Sequence, residues 1–160
     1  MKTEPYYVFS ATWPSPSACG ATYSVHSNGT IDKAVDMWTY AHESGAHGLA
    51  LGERDGQPIL YTADLDGDSI WAHAVDKASG KAKELGRLKM PKTGLHPRHV
   101  AAHPKGTYAY LVMEAENTIH QIDLDVKTGV AAKDSKSFSI IPDGGSFPGV
   151  TCTGAVDFCC

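Results

Sequence analysis

Long apolar runs are missing from this chain: none approaches the roughly 20 residues that a bilayer-spanning helix needs. Charge of one sign is also missing. With 14 Lys and Arg against 18 Asp and Glu, the formal charge is only −4, and no basic surface is expected for nucleic acid or an anionic membrane. The opening MKTEPYYVFS has no apolar segment before its first acid and proline, so the expectation is a cytoplasmic protein without a secretory signal. Cysteine is sparse. Cys19, Cys152, Cys159 and Cys160 contain no CxxC spacing, which argues against a disulfide framework. The terminal Cys-Cys is no prenylation signal either, because Asp157 stands where CaaX needs its cysteine.

What the chain does have is turn residues, Gly 16 and Pro 9, in a composition that is 42% hydrophobic and 20% charged. That is the balance of one soluble globular domain with many short connections. Self-similarity then sets the architecture. YTADLDGDSIWAHAVDKASG (61 to 80) aligns without gaps on YLVMEAENTIHQIDLDVKTG (110 to 129). Tyr61 meets Tyr110, Asp68 meets Asn117, Ile70 meets Ile119, and Gly80 meets Gly129, all at an offset of 49. Upstream, HGLAL (47 to 51) falls on RHVAA (98 to 102) at an offset of 51, and a weaker third copy ends at Gly29.

Each unit reads as four strands. An apolar strand (48 to 51; 100 to 102) precedes a Gly/Pro turn and a second strand (59 to 63; 108 to 113). After a short polar turn comes a third strand (69 to 75; 118 to 124), and a turn ending in SG or TG leads to an edge-like fourth. Alternation of Ile122, Leu124 and Val126 with polar residues predicts one buried face. Four antiparallel strands in a repeat of 40 to 50 residues is the period of a β-propeller blade. An immunoglobulin-like sandwich has no reason to repeat itself at this distance. The fold expected is therefore all-β: a partial propeller of about three four-stranded blades over residues 1–142, with an atypical, irregular tail over 143–160. Three blades cannot close a ring, which typically takes roughly four to eight. Open sheet edges are expected, to be met by a longer protein, by a second copy, or by the tail.

Two motifs look like metal sites and fail on spacing. DLDGDSIWAHAV (64 to 75) suggests a calcium loop, but the positions that need Gly and Glu hold Ser69 and Val75. A turn with solvated acids is the expectation. His99 and His103 are four apart, yet Pro97 and Pro104 bracket them as a strand, where four residues span about 13 Å. They cannot share one zinc. No metal and no cofactor is expected, and His103 reads as a turn residue.

Arg98 is different. It begins the first strand of its repeat, where His47 begins that of the preceding one. First strands of propeller blades line the central channel, so the two positions converge, and two basic side chains there attract a carboxylate or phosphate. Glu114, after the second strand, replaces the apolar Leu65 of the earlier repeat. The alternative is that His47 and Arg98 satisfy carbonyls at strand starts while Glu114 is a solvated turn acid.

HPRHVAAHPKGTYAYLVMEAENTI (96 to 119) resembles the carboxymuconate cyclases, the fungal 3-carboxy-cis,cis-muconate lactonizing enzymes, which lie within the wider family of seven-bladed lactonases. AHGLAL, LYTADLDGDSIW and YSVHSNGTIDKAV resemble preceding segments in the same order. The resemblance runs from about Tyr6 to Pro142 and implies the N-terminal part of a longer propeller. It places catalytic residues at His47, Arg98 and Glu114, with a further family arginine in a later blade that this chain lacks. It also implies cofactor-independent lactonisation of an unsaturated carboxylate from aromatic breakdown. Arg98 would orient a carboxylate, and His47 or Glu114 would deliver a proton. Lactone hydrolysis, as in the sugar-lactonase branch, and a non-catalytic binding module are the competing readings. The expected partner is a small carboxylate or lactone rather than nucleic acid or membrane, and self-association through open blade edges is the expected assembly.

Overall fold

The computed structural model describes residues 4–141, and every described element is a strand. No helix among them is long and apolar enough to cross a membrane. Eleven strands form three antiparallel sheets. The first holds β1 (Tyr6–Ala11), β2 (Cys19–Val25) and β3 (Ile31–Thr39). The second runs β4 (Ala46–Arg54), β5 (Gln57–Asp64), β6 (Ser69–Val75) and β7 (Ala82–Lys89). The third runs β8 (Pro97–Ala102), β9 (Tyr108–Met113), β10 (Thr118–Leu124) and β11 (Ala131–Ser139). The sheets are therefore meanders of sequential strands. Each expected strand of the 49-residue repeat falls inside one of β4 to β11.

Turn chemistry explains the register. Gly80 and Gly129 both have φ of 72°, the left-handed region that a side chain disfavours, and each closes the turn from the third strand to the fourth. Asp68 and Asn117 repeat at φ of 44° and 54° in the turn before the third strand, and Asp and Asn are the side chains that tolerate this conformation. Gly29 (φ 88°) lies between β2 and β3. It identifies these as third and fourth strands and makes β1 a second strand. The first sheet thus has three strands rather than the four expected, with no counterpart of β4 and β8 among the described residues.

Neighbouring sheets pack face to face, with β4 against β8 at one end and β7 against β11 at the other. Ile59, Tyr61, Ile70, Leu111, Met113 and Ile122 fill the space between the second and third sheets and are almost wholly buried. Each such side chain contributes roughly 1.5–3 kcal/mol relative to leaving it in water. The Tyr61 hydroxyl donates to the Gly129 carbonyl at 2.6 Å, pinning the second sheet to a turn of the third, and burial pushes that phenol up to about 12. The Tyr7 hydroxyl makes the matching bond from the first sheet to Ala78 at 2.7 Å.

Two expectations fail locally. Val126 does not continue the buried face of β10: the strand ends at Leu124, and Val126 is 60% exposed in the following turn. Among the acids of DLDGDS, Asp64 is not solvated, while Asp66 and Asp68 are half-buried. Asp64 is fully buried and accepts from Ser44, Gly45, Gly67, Ser69, Trp71 and Arg87 at 2.7–3.1 Å. Asp66 holds Trp13 and Ser15, and Asp68 holds the backbone of Gly94 and His96. An unpaired buried carboxylate is costly; Asp64 is saturated with donors, and all three acids tie loops together. The expected tail, 143–160, lies outside the described residues.

Candidate functional site

The first strands of the second and third sheets begin with the same irregularity. In the pairing of β4 with β5, Ala46 faces Asp64 and Gly48 faces Ala63, which leaves His47 as an extra residue. In the pairing of β8 with β9, Pro97 faces Met113 and His99 faces Val112, which leaves Arg98 extra. Each is a β-bulge at the repeat-equivalent place. A bulge breaks strict alternation and re-aims the side chain it carries. Both basic residues singled out in the sequence are thus the bulged residues of adjacent innermost strands.

Close approach of those strands depends on Gly48. A Cβ added there would lie 2.5 Å from the Arg98 carbonyl oxygen and 2.8 Å from the His99 Cα. These are backbone atoms with no rotamer to yield. The glycine lets β4 lie on the backbone of Arg98 and His99, and the His47 ring meets that of His99 edge to face at 5.4 Å.

Glu114 follows β9 directly. Its amide donates to the His96 carbonyl at 2.9 Å, as the amide of Leu65 does to Gly45 one repeat earlier. Its carboxylate oxygen lies 3.0 Å from Arg98 Nε, with both side chains about a third exposed. An ion pair so open to water adds little stability, typically about 0–1 kcal/mol. What it does is hold in place a partly exposed guanidinium, whose geometry suits a carboxylate.

The structure thus joins Arg98 and Glu114 directly and brings His47 to them through His99, a residue that the sequence analysis considered only as half of a rejected zinc pair. Burial, followed by the nearby charges of His47 and Arg98, holds His99 below the ordinary imidazole range; Glu114 pulls the other way. The available sequence signal was a histidine where the earlier repeat has the obligatory Gly48. His103 stays apart as expected: its Nδ1 accepts from the Lys105 amide at 3.1 Å in the turn before β9. No group of three or more metal-holding His, Cys, Asp or Glu side chains occurs among the described residues.

A second histidine environment lies in the aromatic packing between the first and second sheets. His73 on β6 sits among Trp38, Tyr40 and Trp71, with ring centroids 5.4–6.3 Å away. Burial pushes its imidazole down to about 4. It is 3% exposed, with no opening for a substrate, and belongs to the packing of the sheets.

Comparison with known proteins shows what the chain as a whole is similar to. A family model described as "Lactonase, 7-bladed beta-propeller" matches residues 1–158. Carboxy-cis,cis-muconate cyclase of Neurospora crassa is 34% identical over 143 residues, 89% of this chain and 38% of that protein. The chain therefore spans well under half the length of that curated relative. Among solved structures, a protein from Lactobacillus plantarum superposes with a TM-score of 0.69 at 22% identity, covering 88% of this chain and 41% of that one. The periplasmic gluconolactonase of Pseudomonas aeruginosa gives 0.63 at 21% identity, covering 81% and 36%. At such identities these two likenesses establish shared fold.

Proposed function

Because the chain belongs to the seven-bladed β-propeller lactonase family, we propose that it forms part of a cycloisomerase that closes a lactone on an unsaturated di- or tricarboxylate of the carboxymuconate type. The observation that carries this reading is the pair of equivalent bulges, which aim His47 and Arg98 from adjacent innermost strands, with Glu114 3.0 Å from Arg98. The identity to a carboxymuconate cyclase supports the substrate class.

In the proposed reaction one substrate carboxylate oxygen forms a C–O bond to the distal carbon of a conjugated double bond. The π electrons move toward the second carboxylate, and a proton is then delivered to the neighbouring carbon. Atoms balance without oxidant, reductant or water, as an isomerisation requires. Arg98 receives the carboxylate toward which charge moves and stabilises it as it develops. His47 or Glu114 delivers the proton, a task that suits a group titrating near the working pH.

The test is turnover of 3-carboxy-cis,cis-muconate by the purified 160-residue chain, followed as loss of diene absorbance, with gluconolactone hydrolysis measured in parallel. Arg98→Ala is expected to lower turnover by roughly 10²–10³, the usual cost of removing one charge-stabilising donor. Hydrolysis of the lactone without loss of the diene would move the reading to the hydrolase branch. Turnover insensitive to both Arg98→Ala and His47→Ala would remove this cluster from the chemistry. Size-exclusion mass in the same preparation reads whether the open first sheet draws two copies together.

A further inference from the structure

We propose that His99 is a positioning residue of this site: its ring, set edge to face against His47 at 5.4 Å beside the Arg98–Glu114 ion pair, fixes the orientation of the His47 imidazole. The inference rests on reading the cluster as a carboxylate site, and it adds a residue to that reading.

The geometry comes from the two bulges acting together. With Arg98 extra, His99 resumes the ladder opposite Val112. With His47 extra, Gly48 resumes it opposite Ala63 and lies on the backbone of Arg98 and His99. The rings of residues 47 and 99 are thereby brought into contact across the seam between two sheets. An edge-to-face contact puts the positive rim of one ring on the negative face of the other and sets orientation as well as distance.

Two imidazoles this close do not readily both hold a charge. The charged and titratable groups facing His99 are His47 from β4, Arg98 from its own strand, and Glu114 from the turn after β9. Burial, His47 and Arg98 favour its neutral form; Glu114 opposes them. A neutral His99 ring can then serve as an aromatic support for His47 beside Arg98, where an incoming carboxylate would meet both.

The experiment is a pH titration of imidazole nitrogen shifts in the full 160-residue chain labelled with ¹⁵N, with cis,cis-muconate as the anion probe. His47→Gln is expected to move the His99 midpoint upward, because the nearby His47 charge lowers it. His99→Phe keeps the aromatic edge and is expected to bind muconate within about twofold of the unmodified chain. His99→Ala loses the edge and is expected to weaken binding by about 2–10-fold, the range of an aromatic pair. A His99 midpoint unmoved by His47→Gln overturns the inference, as does His99→Ala binding muconate as well as the unmodified chain. Absence of muconate binding throughout would remove the carboxylate reading of the site, while the His47→Gln titration would still decide whether the His99 ring senses His47.

Discussion

The two four-stranded sheets each carry a carboxylate at the end of the second strand, one residue out of step. In the second sheet it is Asp64, the last residue of β5; in the third it is Glu114, the first after β9. In the 49-residue register Asp64 coincides with Met113 and Leu65 with Glu114. Successive residues on a strand face opposite ways, so the step of one changes everything around the acid. Asp64 is fully buried and saturated by Ser44, Ser69, Trp71 and Arg87. Glu114 is half-buried, beside Arg98. The donors change with the acid: Trp71 is replaced by His120, which turns to Asp134 at 2.8 Å instead. One repeat uses its carboxylate to hold loops together, and the next uses the neighbouring place to present a charge pair.

Exchanging residues between the two sheets breaks this comparison in graded ways. The largest effect is expected from Asp64→Met, which imports the third sheet's residue, leaves the buried Ser44, Ser69 and Trp71 donors without their acceptor, and takes from Arg87 the buried one of its two carboxylate partners, Glu43 being the other. Removing one partner of a buried ion pair costs about 3–5 kcal/mol, to be read from urea unfolding. Unchanged stability would mean that the Asp64 network is decorative.

Next is His73, whose counterpart in the third sheet is Ile122. Its imidazole is depressed from 6.5 to about 4 in the fold, so between those pH values the unfolded chain binds the extra proton. Stability is full above about pH 6.5 and falls as the pH drops toward 4, by about 3 kcal/mol at most. His73→Ile is expected to flatten that part of the acid limb, measured as unfolding midpoint against pH. An equally steep limb in the variant assigns the acid sensitivity elsewhere.

Gly48→Ala should come third. The added methyl meets the backbone of Arg98 and His99 rather than a flexible side chain, and overpacking of this kind costs about 1–3 kcal/mol. Thermal unfolding reads the cost, and muconate binding should weaken because Arg98 is displaced; a variant with native binding would show that the seam between β4 and β8 yields. The smallest stability effect is expected from Glu114→Leu, which imports the residue of the second sheet. Loss of a pair this exposed is expected to cost no more than about 1 kcal/mol, while turnover should fall. A large loss of stability would make Glu114 a structural acid like Asp64.

Much of the architecture was legible before any coordinates. Tyr61 and Tyr110, Gly80 and Gly129, Asp68 and Asn117 repeat because each turn needs a particular backbone conformation, and such conformations restrict residue type locally. His47 and Arg98 stood out as basic residues at the same place of two repeats, and Glu114 as a carboxylate where the other repeat has Leu65. The burial of Asp64 did not show, since a carboxylate in a turn looks alike whether water or six donors surround it. Nor did the bulges at His47 and Arg98, which depend on how the facing strand counts.

The sequence by itself determined the all-β repeat, the order of its strands and the turn positions, because these rest on alternation and on backbone preferences within a few residues. The tertiary structure decided that the first sheet has three strands, that Asp64 binds loops while Glu114 meets Arg98, and that His99 touches His47. These depend on which atoms arrive from strands about 50 residues away, and only the packing of one sheet on the next brings them together.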